Sequence, residues 1–144
     1  MTTAAETTGA RPGWLFWLVV AVGLFWNGFG AVDYTMSHVQ GEAWYRAMGM
    51  DDAMIAHMAS YPTWMHAVWA IGVWGSFLGS VLLLLRSRWA FHAFAASTVG
   101  ALGNFAYILA NPGPMDAVMP LVIIVICAFF IWYAWTMTKR GVLR

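Results

Sequence analysis

The chain has 144 residues, of which 62% are hydrophobic, 17% aromatic and only 9% charged, with a formal net charge of +1 and a single cysteine. This balance excludes a water-soluble domain, a disulfide-built secreted scaffold and a nucleic-acid partner: polar surface, a second thiol and a basic excess are all missing. Four long, almost uncharged apolar stretches remain. In lipid a backbone must satisfy its own hydrogen bonds, so they read as an all-α membrane protein with four transmembrane helices in an antiparallel bundle.

Residues 1–13, rich in Thr, Ala and Gly, show no periodicity and are expected to form a flexible N-terminal tail. The first span covers about 14–35, long enough at ~1.5 Å per residue to cross a ~30 Å hydrocarbon layer. Its aromatic-rich ending, WNGFGAVDY, lacks a small-x-small cleavage site, so it is expected to stay as a helix rather than leave as a signal peptide. The loop 36–61 is too long for a simple turn. From about 51 to 60 it reads as a short helix capped by Asp51 and Asp52, with Met54, Ile55 and Met58 as an apolar stripe, lying along the outer membrane surface.

The second span, about 62–85, starts at Pro62, a position that tolerates proline, and ends before Arg86 and Arg88. The third, about 89–110, stops at Asn111-Pro112-Gly113-Pro114, which cannot continue a helix and predicts a tight hairpin. The fourth, about 117–138, opens near Asp116 as a cap and closes at Lys139-Arg140, leaving 139–144 as a basic cytoplasmic tail. Cys127, with no second thiol in the chain, reads as a small buried hydrophobe.

Charge placement sets the orientation. Arg11, Arg86, Arg88, Lys139, Arg140 and Arg144 fall on one side, so both termini are predicted cytoplasmic, and Arg46, offset by Glu42, Asp51 and Asp52, is the exception. Trp14, Trp17, Trp89, Trp132 and Trp135 then form the cytoplasmic aromatic belt, and Tyr34, Tyr61, Trp64 and Tyr107 the outer one.

Helices in lipid associate through close approach, so small residues mark contact faces. Gly72, Gly75, Ser76, Gly79 and Ser80 form such a face on the second span, Ala93, Ala96, Ser97, Gly100 and Asn104 on the third, and Gly23, Asn27 and Gly30 on the first. Spans one to three are therefore expected to make the tight core, with the bulky fourth span more lipid-exposed. The glycine faces, Gly72, Gly75, Gly79 and Gly100, would serve packing within the chain or a homo-oligomer seam.

Asn27 and Asn104 each lie about 20 Å along helices that run the same way. Amides at that depth need partners, met either by an Asn27–Asn104 hydrogen bond or by an outward-facing pocket between the first three spans, with Asp33, Tyr34, His66 and Tyr107 slightly further out. Asp33 is expected to be an exposed loop carboxylate unless it pairs with Arg46 or His66. His92, near the cytoplasmic end, reads as a snorkelling or capping residue.

Met36, His38, Met48, Met50, Met54, His57, Met58, Met65, His66, Met115 and Met119 all map to the outer side. Thioether and imidazole together favour soft Cu(I), but no repeated Met-x-x-Met or His-x-His spacing sets a geometry, and methionine is also an apolar filler. No catalytic motif or phosphate-binding glycine loop is present in the sequence, so neither a catalytic residue nor a cofactor is assigned.

The segments LFWNGFGAVDYTM, YPTWMHAVWAIGVWGSFLGSVLLLLRSRWAFHAFAAS, VMPLVIIVI and KRGVLR together resemble a family of small four-span bacterial membrane proteins of uncharacterised function, several of which carry an automatic sugar-transporter label. The resemblance implies a multi-pass protein of the bacterial inner membrane and brings no substrate-binding residues with it. The outer loop varies in that family, which makes the Met/His enrichment particular to this chain and weakens a copper reading.

Two functions follow. The first is a non-enzymatic accessory or homo-oligomeric membrane component, partnered by lipid, by copies of itself or by a larger complex. The alternative is a transporter of a neutral, sugar-like solute working as an oligomer, with Trp26, Asn27, Asp33, Tyr34, His66, Asn104 and Tyr107 as its binding residues, because amides and aromatic faces suit hydroxylated molecules. Alternating access from four helices without an internal repeat would need a dimer.

Overall fold

A computed structural model describes residues 9–144, and the expected flexibility of the tail lies outside the described residues for positions 1–8. The described residues form six α-helices: α1 Trp14–Val39, α2 Glu42–Ala47, α3 Asp52–Ala59, α4 Thr63–Leu84, α5 Ala90–Ala110 and α6 Val118–Lys139. Four of them, α1, α4, α5 and α6, are long and apolar enough to cross a membrane, as expected of a multi-pass membrane protein. They pack in an antiparallel bundle as α1 on α4, α4 on α5 and α5 on α6.

One end of the bundle, the basic end, gathers residues 9–13, the Arg86–Trp89 turn and the C-terminal residues; the other, the loop end, gathers α2, α3 and the 111–117 connection. α1 runs four residues beyond its predicted end. Two side-chain contacts to the preceding turn accompany the extension: Thr35 Oγ1 donates to Ala31 O (2.8 Å) and His38 Nδ1 meets Tyr34 O (2.8 Å). α3 begins as expected, with Asp51 accepting from Met54 N at 2.8 Å. α2 escaped the sequence reading. It is bracketed by Gly41 (φ 54) and Gly49 (φ 86) and carries a Glu42–Arg46 ion pair one turn apart, signals that mark a short helix. Arg46 also holds Asp52 at the start of α3, and both carboxylates raise its already high pKa.

The seam between α4 and α5 is the closest in the molecule. A Cβ on Gly100 would lie 2.7 Å from Gly72 N, and one on Gly75 would lie 3.1 Å from Ser97 N, so backbone rests on backbone there. A Cβ on Gly79 would meet the Phe94 ring at 2.7 Å. The structure thus places all four expected packing glycines inside the chain.

The expectation that the fourth span is more lipid-exposed than the other three is corrected. α6 buries Cys127, Phe130, Tyr133, Ala134 and Met137, as many residues as α4 buries. Its large side chains fill sockets that small residues leave open: Phe130 lies against Gly23 of α1, where a Cβ would come within 2.9 Å of the ring, and it stacks on Phe94 of α5 at 5.0 Å. Small residues here receive large side chains as well as other small ones.

The C-terminal segment is likewise more than a basic tail. Arg144 N donates to Arg86 O (2.8 Å) and Arg88 N donates to Arg144 O (2.9 Å), while Val142 and Leu143 are buried in the core. Arg86 adopts φ 57, and its guanidinium donates to Val142 O (3.0 Å) and Ala10 O (3.2 Å), tying three segments together at the basic end. Trp14, Trp17, Trp89, Trp132 and Trp135 are exposed around that same end.

Candidate functional site: a cleft between the first and last long helices

α1 and α6 meet through side chains near the basic end, where Phe16 stacks on Tyr133 at 6.4 Å, but they share no packed seam along their length. Towards the loop end a cleft of about 460 Å³ opens, with the α4–α5 seam as its floor, α1 as one wall and α6 as the other. Trp26 and Phe29 of α1 and Met119 and Ile123 of α6 line it and are themselves exposed, so its rim is apolar and faces sideways. Met48, at the end of α2, closes the loop end of the cleft. α2 is held there by Trp44, whose Nε1 donates to Asp33 Oδ1 at 2.8 Å.

The polar groups of the cleft are few and mostly engaged. Asn27, on the α1 face, donates through Nδ2 to Ser80 Oγ (2.8 Å), and Ser80 passes the bond on to Ser76 O (3.0 Å). Ser76 donates to Val73 O within its own helix, and Ser97 on α5 donates across the seam to Gly72 O of α4. Asn104 lines the cleft half-buried, and its amide has no hydrogen-bond partner among the described residues. It stands as an uncommitted amide in an apolar recess, which is how small-molecule sites of ~300–1,000 Å³ fix the orientation of a ligand.

Two sequence expectations are corrected. Asn27 pairs with Ser80, not Asn104, because the buried serine on α4 faces it across the α1–α4 contact. Asp33 is neither a free loop carboxylate nor paired with Arg46 or His66: it lies inside α1 and is taken by the indole of a helix that sequence reading did not find. The pocket also involves more than the first three spans, since α6 supplies a whole wall.

The predicted binding residues divide among three places. Trp26, Asn27, Asp33 and Asn104 line the cleft. His66 lines a second, smaller cavity of about 150 Å³ between α3, α4 and α5, with Asn104 and Trp69 in the wall common to both. Tyr34 and Tyr107 line neither. Tyr34 sits edge-on to Trp69 (5.0 Å) and its hydroxyl reaches His66 O at 3.5 Å, while Tyr107 packs edge-on to Tyr61 (5.2 Å) and Trp64 (5.5 Å). Trp69 went unremarked in the sequence, although it follows His66 by three residues and so shares its helix face. Burial, reinforced by the nearby Tyr107, pushes the Tyr61 phenol above its ordinary pKa and keeps it neutral. No three His, Cys, Asp or Glu side chains come together as a metal-binding group among the described residues. Compared with protein-family models, with curated proteins and with solved structures, the chain matches none.

Proposed function

We propose that this protein is a non-enzymatic accessory component of the bacterial inner membrane that holds a membrane-soluble amphiphile in the cleft between α1 and α6. The observation that carries the reading is the cleft: a sideways, apolar recess of about 460 Å³ with one uncommitted amide, Asn104, at its floor. An apolar body would cover the exposed rim of Trp26, Phe29 and Ile123, and a hydroxyl, carbonyl or amide head would satisfy Asn104. A sugar fits less well. It presents hydroxyls on all sides, whereas Asn27, Asp33, Ser76 and Ser97 already have partners within the chain.

The bacterial setting is supported by the sequence resemblance, and cytoplasmic termini by the gathering of Arg11, Arg86, Arg88, Lys139, Arg140 and Arg144 near one end. The test is native mass measurement of protein purified in mild detergent, followed by solvent extraction of whatever remains bound. One amphiphile per chain is expected on the wild type and none on Gly30→Phe, which fills the cleft from a position where a Cβ has room, its nearest neighbour being 4.0 Å away. A second protein chain seated in place of the amphiphile would make the cleft a subunit contact instead. Sugar flux into protein-bearing liposomes above that of empty vesicles would turn the assignment to transport.

A further inference from the structure

The small cavity at the loop end brings together groups for which the cleft has no use. Three methionines line it from three separate segments: Met58 from α3, Met65 from α4, and Met115 from the connection before α6. His66 lines the same cavity, and its Nδ1 is enclosed without a hydrogen-bond partner. A buried polar atom left unmatched forfeits the hydrogen bonds it had in water, and apolar packing by methionine does nothing to recover them. The 111–117 connection that carries Met115 lies close on α3, where a Cβ on Gly113 would collide with the His57 ring, so Met115 is held by the fold rather than hanging in a free loop.

The donor set is selective by its chemistry. No carboxylate lines the cavity, and its one phenol, Tyr61, is neutral, so a hard divalent ion finds no anionic oxygen shell. Thioether sulfur and neutral imidazole bind soft, weakly hydrated monovalent ions, and four uncharged ligands leave only a single positive charge to be accommodated. We propose that His66 Nδ1 with the sulfurs of Met58, Met65 and Met115 forms a Cu(I) site at the loop end of the bundle, independent of the cleft ligand.

The test is anaerobic titration of the purified full-length protein with Cu(I) in competition with bicinchoninate, alongside X-ray absorption of the copper-loaded wild type. One Cu(I) per chain is expected, with sulfur and one nitrogen in its first shell. Met58→Leu, Met65→Leu and Met115→Leu keep side-chain volume and should each weaken binding at least about tenfold, as should His66→Gln, while Met36→Leu and Met50→Leu should match wild type. Copper left entirely with the chromophore, a shell of oxygen and nitrogen alone, or unchanged affinity in the triple leucine variant would overturn the site. Should any variant fold poorly, the absorption spectrum of the wild type decides alone.

Discussion

Asn27 and Ser80 show how a single polar pair is worth less than its burial suggests. Their hydrogen bond joins α1 to α4 inside an apolar layer, yet interhelical bonds in membranes average only ~0.6 kcal/mol, with ~1.7 as the upper end, because the separated helices also find partners. A double-mutant cycle with Asn27→Leu and Ser80→Ala, followed by unfolding in detergent, should return a coupling within that range. Gly79 is a harsher position. A methyl there would lie 2.7 Å from Phe94, which is 1% exposed and stacked on Phe130 and so has nowhere to go. Gly79→Ala should cost about 1–3 kcal/mol, whereas Gly28→Ala, whose Cβ would sit an ordinary 3.7 Å from Phe77, should be neutral or stabilising by up to ~1 kcal/mol. Thermal unfolding of the two variants side by side checks both.

The C-terminal segment behaves as a structural element although it is five residues long and irregular. Val142 and Leu143 complete the core at the basic end, and the main chain of Arg144 pairs with Arg86 and Arg88. Leu143→Ala should therefore lower stability by ~2 kcal/mol or more, an effect no solvated tail would show. Arg86 combines two opposing terms, since its φ of 57 costs any residue with a Cβ ~1 kcal/mol or more while its guanidinium bridges Ala10 and Val142. Arg86→Gly should retain about 1 kcal/mol more stability than Arg86→Ala, because both lose the bridge but only glycine relieves the backbone. Chemical or thermal unfolding midpoints in one detergent would show the order.

For the molecule as a whole, the arrangement of the four long helices is a row folded back on itself at one end only. α1 and α6 touch near the basic end through Phe16, Gly23, Phe130 and Tyr133 and part towards the loop end, and the cleft is the result of that splay. The proposed orientation places the cleft in the outer half of the bilayer. A membrane-impermeant maleimide applied to intact cells should label Ser60→Cys at once and Ser87→Cys only after permeabilisation; the reverse order would invert the topology. Cys127 is buried and should remain unlabelled under either condition.

The number and approximate extent of the spans were legible in the chain because they depend on local terms: hydropathy over about twenty residues and prolines that stop helices. The glycine faces were legible too, since a stripe of small residues on one helix face declares close approach without naming its partner. Partners are a property of three-dimensional complementarity, and there the chain was silent. Asn27 could have met any buried acceptor and met Ser80; Asp33 was claimed by an indole on a helix of only six residues; Phe130 found its socket at Gly23, roughly 350 Å away along the extended chain. Four of the seven predicted binding residues converge on one cleft, but its second wall and its sideways opening arise from how α6 leans on α5, and no periodicity within α6 encodes the angle between two helices.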